Sequence, residues 1–358
     1  MTRPARARIN LQALRHNFSR VRQAAPASRS MAIIKANAYG HGTVEVARNL
    51  PEAHAFGVAC MEEAIALREA GFDRRVVLLE GLFAADDISL INAYRLDVVV
   101  HHDCQIALLE QGCLNRPLDI WLKIDTGMNR LGFTPAHAAS ARQRLAGITG
   151  IGEVRLMTHF ACADDLSSDY TRLQLGRFGE VAAQFPGECS LANSAGVLGW
   201  PESHADWVRP GVMLYGSSPL LGRCAAELDL RAVMTLTTRL IAVNSRRQGD
   251  PVGYSGDWVC PADTNIGVAA IGYGDGYPRH APSGMPVLVN GKRVPLAGRV
   301  SMDMICLDLG TQPQAQVGDE VILWGEGLPV DEIANLAGTI SYELFCGVGR
   351  RVQFDYLD

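Results

Sequence analysis

The chain has 358 residues, of which 48% are hydrophobic, and it carries a formal net charge of -5. This length and apolar content suffice for two domains with separate cores, and the acidic balance excludes a strongly basic surface for nucleic acid. The basic N-terminal residues lead into no apolar segment and no stretch is apolar enough to span a membrane, so we expect a soluble cytoplasmic protein.

Up to about residue 220, short apolar and β-branched runs alternate with helical segments. Asn10 is placed to cap an amphipathic helix over 11–22, and a second helix over 62–70 ends at Gly71. Eight such runs predict a (β/α)8 barrel, with a doubly wound sheet as the alternative, and residues 211–215 compete for the last strand. The runs are residues 32–35, 56–59, 76–80, 97–100, 119–123, 153–157, 189–193 and 206–209.

Polar side chains follow these runs where each run ends. In a (β/α)8 barrel the C-terminal ends of the strands form the active-site face. After Arg209, a proline and a glycine lead into Val212, which predicts either a helix N-terminus that binds phosphate or an ordinary capped turn. The polar residues at the strand ends are Lys35, Glu80, His101, Lys123, His159, Asn193 and Arg209.

After residue 225 the pattern becomes mainly β. Residues 287–294 form a predicted hairpin with an Asn-Gly turn, and 330–337 form a predicted helix. The glycine-rich stretch 272–276 does not match the dinucleotide-binding fingerprint and is predicted to be a loop. We therefore predict a barrel domain over 1–225 and a mainly β domain over 226–358. The other predicted strands are residues 234–243, 266–271, 300–309 and 320–324.

Lys35 ends the first apolar run and is followed by an aromatic residue and two glycines, Tyr39, Gly40 and Gly42. An amine held among apolar residues is partly neutral and therefore nucleophilic, so it can form a Schiff base with an aldehyde. Considered alone, Lys35 is explained better as a strand-end lysine whose amine reaches solvent.

The string Lys35-Ala36-Asn37-Ala38-Tyr39-Gly40-His41-Gly42 resembles the pyridoxal-phosphate attachment segment of alanine racemases. Further segments occur in the order found in that family, so that the resemblance covers nearly the whole chain. It implies a barrel followed by a β domain, pyridoxal 5'-phosphate as cofactor, alanine as substrate, and a head-to-tail homodimer. Each active site would combine the barrel of one subunit with the β domain of the other. The further segments are residues 122–132, 157–160, 193–194, 208–216, 252–254, 272–279 and 298–303.

Racemisation removes a Cα proton on one face of the substrate and returns a proton on the other, so it needs two acid/base groups. The resemblance implies interconversion of L-alanine and D-alanine through an external aldimine, with Lys35 serving the D-enantiomer and Tyr254 the other face. Considered alone, Tyr254 is better explained as a core tyrosine bonded to a backbone carbonyl. The resemblance further implies that His159 and Arg209 support Tyr254, and that the Arg209 guanidinium keeps the pyridine nitrogen of the cofactor neutral.

The resemblance implies roles for the remaining site residues. Arg130 and the Met302 backbone would hold the substrate carboxylate, since an arginine fork binds both carboxylate oxygens, and Tyr273 would narrow the entrance. Lys123 matches a position that is carbamylated in several relatives, where it would orient Arg130. An unmodified Lys123 paired with Asp125 or Asp303 is the alternative. The residues that would hold the cofactor phosphate are Tyr39, Ser194, Gly211, Val212 and Tyr342.

Four other functions share parts of this pattern. A broad-specificity racemase would use the same bases with a wider pocket, whereas a decarboxylase has no need of Tyr254. A non-catalytic cofactor carrier would keep Lys35 and has no need of the β domain. A cofactor-free racemase would use two paired cysteines, but the nine cysteines show no pairing motif, which predicts buried free thiols and no metal site.

Overall fold

A computed structural model describes residues 3–358 of the chain. They form two compact units. The barrel unit comprises Asn17–Leu214 and Ser218–Arg223, and the β unit comprises the described residues up to His16, Tyr215–Ser217 and Cys224–Asp358. Within the described part of the chain, no helix combines the length and the apolar character needed to cross a membrane. The nine cysteines are free thiols as predicted, but only Cys260 is buried, so the prediction that they lie in the core is wrong.

Strand β1 (Arg6–Asn10) leads directly into helix α1 (Leu11–Ala24). The side-chain oxygen of Asn10 accepts a hydrogen bond from the backbone nitrogen of Ala13 at 2.8 Å, so Asn10 caps the helix as predicted. The sequence analysis groups strand β1 with the barrel, but the structure places it in the sheet of the β unit. The difference arises because its partner strands lie far along the chain, where no local pattern reveals them.

Eight parallel strands close into the predicted barrel, and each predicted run overlaps one of them. Strand β2 pairs with both β3 and β9, which closes the sheet and excludes the doubly wound alternative. Residues 212–215 form a short 3-10 helix, so they do not supply the last strand. The strands are β2 (Arg29–Ile33), β3 (Ala55–Val58), β4 (Arg75–Leu78), β5 (Asp97–Val100), β6 (Leu118–Lys123), β7 (Ile151–Met157), β8 (Cys189–Ser190) and β9 (Trp207–Val208).

Helical segments connect the barrel strands, and the predicted helix over 62–70 is present with nearly the same bounds. Side chains from the strands fill the barrel interior, which is therefore a packed core and not a channel. The segments are α2 (Lys35–Gly40), α3 (Thr43–Arg48), α4 (Met61–Glu69), α5 (Asp87–Tyr94), α6 (Asp103–Gln111), α7 (Ala138–Ala146), α8 (Tyr170–Ala182) and α9 (Ser194–Gly199).

Charged side chains toward the N-terminal ends of the barrel strands are neutralised in pairs. Arg75 forms ion pairs with Asp97 and, at 2.9 Å, with Asp119. Arg155 pairs with Asp119 at 2.9 Å and with Glu188 at 2.6 Å. Arg29 also pairs with Glu188, so three arginines and three carboxylates join neighbouring strands here, with no excess of either sign among these six residues.

The β unit is built around a twisted sheet in which β10 pairs antiparallel with β1 and β17. The predicted hairpin is confirmed, and Asn290 and Gly291 turn it with φ values of 50° and 74°. Strand β18 pairs parallel with β1. The remaining elements are β10 (Met234–Arg246), β11 (Pro251–Val252), β12 (Trp258–Val259), β13 (Thr264–Ala269), β14 (Pro286–Val289), β15 (Lys292–Pro295), β16 (Ile305–Asp308), β17 (Glu320–Trp324), α10 (Val330–Ala337), α11 (Ser341–Gly347) and β18 (Gln353–Leu357).

The predicted strand over 300–309 is shorter in the structure, where only Ile305–Asp308 is extended and paired. Residues 301–304 form a turn in which the backbone nitrogen of Ser301 donates to the carbonyl of Met304 at 3.1 Å. The turn exposes Met302, whereas β16 continues into the sheet. The apolar residues in this stretch therefore predicted a strand that was too long.

Candidate active site

Lys35 lies just beyond the C-terminal end of β2, at the start of a left-handed turn. The four residues that follow it have φ values between 52° and 54°, a conformation that costs a non-glycine residue roughly 1–2 kcal/mol. Gly40 and Gly42 continue the path at φ values of 76° and 94°, which glycine tolerates without strain. Strain of this kind persists only where the surroundings enforce it, and it marks candidate functional sites.

His41 holds this left-handed turn from within the core. It is fully buried, and its Nδ1 atom lies 2.8 Å from the carbonyl oxygen of Tyr39 and 3.2 Å from that of Ala38. Burial lowers the pKa of His41 to about 4, so the ring is neutral near pH 7 and Nδ1 carries the hydrogen that it donates. The sequence analysis assigns no role to His41. The feature of the sequence that could have drawn attention to His41 is its position between Gly40 and Gly42.

Arg209 follows the last barrel strand and is buried, so it is not a surface residue. Its guanidinium donates to the hydroxyl of Ser190 at 2.7 Å and to the carbonyls of Thr158 at 2.6 Å and Leu191 at 3.0 Å. Burial lowers the pKa of Arg209 to about 10, which still leaves it protonated near pH 7. The side chain is therefore a fixed positive charge at the C-terminal end of the barrel.

His159 contacts Arg209 through Nδ1, which lies 3.3 Å from Nη2. A guanidinium only donates, so Nδ1 accepts and the hydrogen of the neutral ring lies on Nε2. Burial and the positive charges of Arg209, Lys123, Arg130 and Lys35 hold the pKa of His159 well below its usual range. His159 is therefore neutral near pH 7.

Gln174 was not predicted, and it anchors the backbone on which His159 lies. Its side-chain nitrogen donates to the His159 carbonyl at 3.1 Å and to the Thr126 hydroxyl at 3.0 Å, and its oxygen accepts from the Ala161 nitrogen at 2.8 Å. It reaches the site from helix α8, so the strand-end pattern could not reveal it.

The C-terminal face of the barrel has a surplus of positive charge. Among the residues that the structure describes, Lys35, Lys123, Arg130 and Arg209 form no ion pair with a carboxylate. Burial and the charges of Arg209, Arg130 and Lys35 lower the pKa of Lys123 to about 8. Such a face attracts anions, in contrast to the neutralised opposite end.

The alternative that Lys123 pairs with Asp125 is not realised in the described structure, although the Asp125 charge acts on Lys123. Asp125 instead accepts hydrogen bonds from the backbone nitrogens of Gly127 at 2.9 Å and Asn129 at 3.0 Å. Its carboxylate therefore shapes the loop that leads to Arg130.

Ser194 and Gly211 form the centre of a small polar cradle beside the turn of Lys35. The Ser194 hydroxyl accepts hydrogen bonds from the backbone nitrogens of Gly211 at 2.8 Å and Met213 at 3.4 Å. A Cβ atom at Gly211 would lie 2.8 Å from the Tyr39 hydroxyl, so glycine is what permits this close approach. Asn193 caps helix α9 through the nitrogen of Gly196 and so places Ser194 in its first turn.

This cradle fits a phosphate group. It combines a tyrosine hydroxyl, a serine hydroxyl and backbone N–H groups, and Val212 starts the short 3-10 helix immediately after Gly211. The neighbouring surplus of positive charge adds to the attraction. The barrel unit thus brings together the predicted residues Lys35, Tyr39, Lys123, Arg130, His159, Ser194, Arg209, Gly211 and Val212.

The other predicted site residues lie in the β unit. Tyr254 is 67% exposed and follows β11, which rules out the alternative of a core tyrosine. Tyr273 and Met302 lie side by side. The backbone N–H of Tyr273 donates to the carbonyl of Ser301, and the backbone N–H of Gly274 donates to the carbonyl of Met302. Tyr342 lies in helix α11. Asp303 accepts from Arg351 at 2.8 Å, which gives it a partner other than Lys123.

The chain matches the family models of the alanine racemase N-terminal domain over residues 9–219 and of the alanine racemase C-terminal domain over residues 233–356. This chain belongs to the alanine racemase family. It is 52% identical over 352 residues to the biosynthetic alanine racemase of Escherichia coli O6:H1, covering 98% of each chain. The biosynthetic alanine racemase of Pseudomonas aeruginosa has the same fold, with a TM-score of 0.97 and 46% identity over 100% of both chains.

A more distant solved relative is the alanine racemase of Bartonella henselae, determined with covalently bound pyridoxal phosphate. It aligns with a TM-score of 0.90 and 27% identity over 99% of each chain. Alanine racemases interconvert L-alanine and D-alanine and depend on pyridoxal phosphate. The chain is therefore an isomerase of alanine with this cofactor, and the arrangement of its polar cradle and its cations fits the phosphate and carboxylate groups involved.

Proposed function

We propose that racemisation by this chain uses two bases, Lys35 and Tyr254, on opposite faces of the substrate Cα. The single observation that carries the assignment of Lys35 is its place on an enforced left-handed turn beside the polar cradle. Tyr254 supports the second assignment because it is largely exposed although it lies in a β domain with its own core. Proton removal on one face and return on the other inverts the configuration.

Pyridoxal phosphate, when bound, supplies the electron sink that lets the Cα proton leave. We assign its phosphate to Tyr39, Ser194, Gly211 and Val212, with Tyr342 from the β domain. The Tyr39 and Ser194 hydroxyls, which both lie beside Gly211, support this assignment. Residues 1–225 would accordingly bind the cofactor, and residues 226–358 would contribute the second base.

Arg209 would face the ring nitrogen of the cofactor. Because its pKa is about 10, the guanidinium stays protonated near pH 7. It would therefore donate a hydrogen bond to that nitrogen without transferring a proton to it. His159, with its hydrogen on Nε2, offers a donor to the network that serves Tyr254. In this arrangement Arg209 weakens the electron sink, and His159 helps Tyr254 to exchange its proton.

The substrate carboxylate would be bound by the Arg130 fork and by the backbone of Met302. Lys123 would orient Arg130, and its pKa of about 8 leaves roughly a tenth of its amine neutral at pH 7. A neutral amine can add carbon dioxide and release a proton, and the resulting carbamate would offset part of the positive charge around it. Tyr273 would narrow the entrance.

We propose that the chain acts as a head-to-tail homodimer in the cytoplasm and supplies D-alanine for biosynthesis. The exposure of Tyr254 and Met302, at 67% and 54%, supports a second subunit that covers the face carrying them. The biosynthetic role rests on the names of the relatives from Escherichia coli and Pseudomonas aeruginosa, which the chain matches over nearly its full length.

The test is an absorbance spectrum of the purified protein followed by racemisation assays in both directions. We expect the absorption of a bound cofactor and conversion of D-alanine into L-alanine and back. Kinetics with serine, lysine and arginine then distinguish an alanine enzyme from a broad-specificity racemase. Cofactor binding without loss of optical activity of either alanine enantiomer would contradict the two-base assignment.

A further inference from the structure

Asp275 is a fully buried carboxylate in the loop between β13 and β14. Arg3 binds it with two parallel hydrogen bonds, from Nε to Oδ1 at 2.9 Å and from Nη2 to Oδ2 at 2.6 Å. The backbone nitrogen of Gly272 donates to Oδ2 at 2.9 Å, and Arg351 pairs with Oδ1 at 3.2 Å. A carboxylate removed from water to this degree is stable only with such partners.

The same two arginines also reach the loop that carries Met302. Arg3 donates to the carbonyl of Asp303 at 2.5 Å, and Arg351 donates to the Asp303 carboxylate at 2.8 Å. Arg351 further donates to the carbonyl of Gly274 at 3.1 Å. Two guanidinium groups and two carboxylates thus form a neutral cluster between two loops.

Backbone contacts show how closely these loops are joined. The Tyr273 nitrogen donates to the Ser301 carbonyl at 3.1 Å, and a Cβ atom at Gly272 would lie 2.3 Å from that same oxygen. The Asp275 carbonyl accepts from the nitrogen of Gly349, beyond helix α11, at 2.8 Å. Asp275 therefore lies where the Tyr273 loop, the Met302 loop and the segment after Tyr342 meet.

We propose that Asp275, held by Arg3 and Arg351, is a positioning residue that fixes Tyr273 and Met302 for substrate binding. The proposal rests on the roles assigned above to those two residues. Because Met302 would bind the substrate through its backbone, its position depends on the path of the loop and not on a side-chain rotamer. A displacement of about 1 Å in a group that binds the reacting molecule is enough to cost catalytic efficiency.

The primary test variant is Arg3→Ala, because the Arg3 side chain is 28% exposed and its loss leaves Asp275 paired with Arg351. Asp275→Asn is the second variant and removes the buried charge itself. The matched control is Arg6→Ala. Arg6 also binds a carboxylate with two hydrogen bonds, to Asp355 at 3.1 Å and 3.0 Å, but this pair joins β1 to β18 away from both loops.

Two measurements separate the inference from the proposed function. Amide hydrogen exchange of the holoenzyme reports the loops directly, and steady-state kinetics with alanine report the consequence. We expect faster exchange in 272–276 and 301–304 for Arg3→Ala and Asp275→Asn, but not for Arg6→Ala. We also expect KM for alanine to rise roughly five- to tenfold in Arg3→Ala while kcat stays within about twofold.

The outcomes are distinct. Unchanged exchange in both loops of Arg3→Ala and Asp275→Asn overturns the inference, whatever the kinetics show. Faster exchange with an unchanged KM also overturns it, because the loops would then loosen without any effect on substrate binding, whereas a wild-type protein without racemase activity would contradict the proposed function. Faster exchange with the KM effect supports it, and partial recovery in Arg3→Lys, which keeps the charge but not the fork, strengthens that support.

Discussion

The Nη2 atom of Arg209 lies 3.3 Å from Nδ1 of His159, and this contact determines which nitrogen of the imidazole carries the hydrogen. The three remaining bonds of Arg209, to Ser190, Thr158 and Leu191, leave the guanidinium little freedom to move. One buried arginine therefore fixes both a positive charge and the tautomer of a neighbouring histidine. A lysine could not replace it, because it lacks the planar arrangement of donors.

Arg209→Glu should slow turnover and produce a new cofactor absorption band at longer wavelength. The carboxylate would let the ring nitrogen hold a proton, so the ring would become a stronger electron sink while return of the Cα proton suffers. Ultraviolet-visible spectra with alanine present and kcat in both directions measure this, with circular dichroism to confirm folding. Arg172→Glu, on the exposed part of helix α8, is the control. Full activity with an unchanged spectrum would mean that Arg209 does not face the ring.

His41→Leu should lower the free energy of unfolding by about 1–3 kcal/mol, because the carbonyls of Tyr39 and Ala38 lose a buried donor. The strained turn would relax, so we also expect weaker retention of the cofactor. Urea unfolding and cofactor release by dialysis measure the two effects. The exposed His137→Leu is the matched control. Equal stability and retention in both variants would show that His41 does not hold the turn.

The barrel was predictable because most of its strands are buried apolar runs, and such runs are apparent without knowledge of their partners. The convergence of Lys35, Lys123, His159 and Arg209 followed from their places at the strand ends. Strand β1 was missed because its stability depends on β10 and β18, both remote in sequence. Pairing between distant segments leaves no local periodicity.

The left-handed turn after Lys35 shows a second limit of sequence reasoning. Gly40 and Gly42 indicate unusual backbone, but four consecutive non-glycine residues at positive φ contradict their own conformational preferences. Tertiary contacts, such as those of His41, outweigh those preferences. The partners of Asp275 could not be predicted either, since Arg3 lies 272 residues away from it in the chain.

Carbamylation of Lys123 should increase as the pH rises through about 8, because only the neutral amine adds carbon dioxide. Carbon-13 NMR with labelled bicarbonate should show a carbamate signal that is absent in Lys123→Ala. The same variant should raise KM for alanine if Lys123 orients Arg130 as proposed. Lys292→Ala, on the exposed hairpin, should keep the signal. A spectrum without a carbamate signal at pH 8 to 9 would show that Lys123 is not carbamylated.

Lys35→Ala should lose the covalent cofactor link. The chain has three lysines, Lys35, Lys123 and Lys292, so the possible attachment points are few. Borohydride reduction followed by peptide mass spectrometry should find the adduct on Lys35 in the wild type and on no lysine in the variant. Lys292→Ala again serves as the control. A reduced adduct on Lys123 or Lys292 of the wild-type protein would refute the assignment.

Tyr254→Phe should retain the covalent cofactor and lose racemisation in both directions, because interconversion needs a base on each face. Exchange of the Cα proton with solvent should survive chiefly for D-alanine, which Lys35 can still deprotonate. Proton NMR in heavy water measures the exchange of each enantiomer separately. If L-alanine exchanged as fast as D-alanine, Tyr254 would not be the base for the L-enantiomer.

Mixing the inactive Lys35→Ala and Tyr254→Phe proteins tests the dimer together with the two bases. In a mixed dimer, one site combines the intact Lys35 of one subunit with the intact Tyr254 of the other, provided that each site draws on both subunits. Random exchange of subunits would then restore about a quarter of the wild-type activity, since half of the dimers are mixed and one of their two sites is intact. Activity should appear at the rate of subunit exchange, followed with differently labelled subunits. Mixed dimers that form but stay inactive would show that Lys35 and Tyr254 act within a single subunit, or that one of them is not a base.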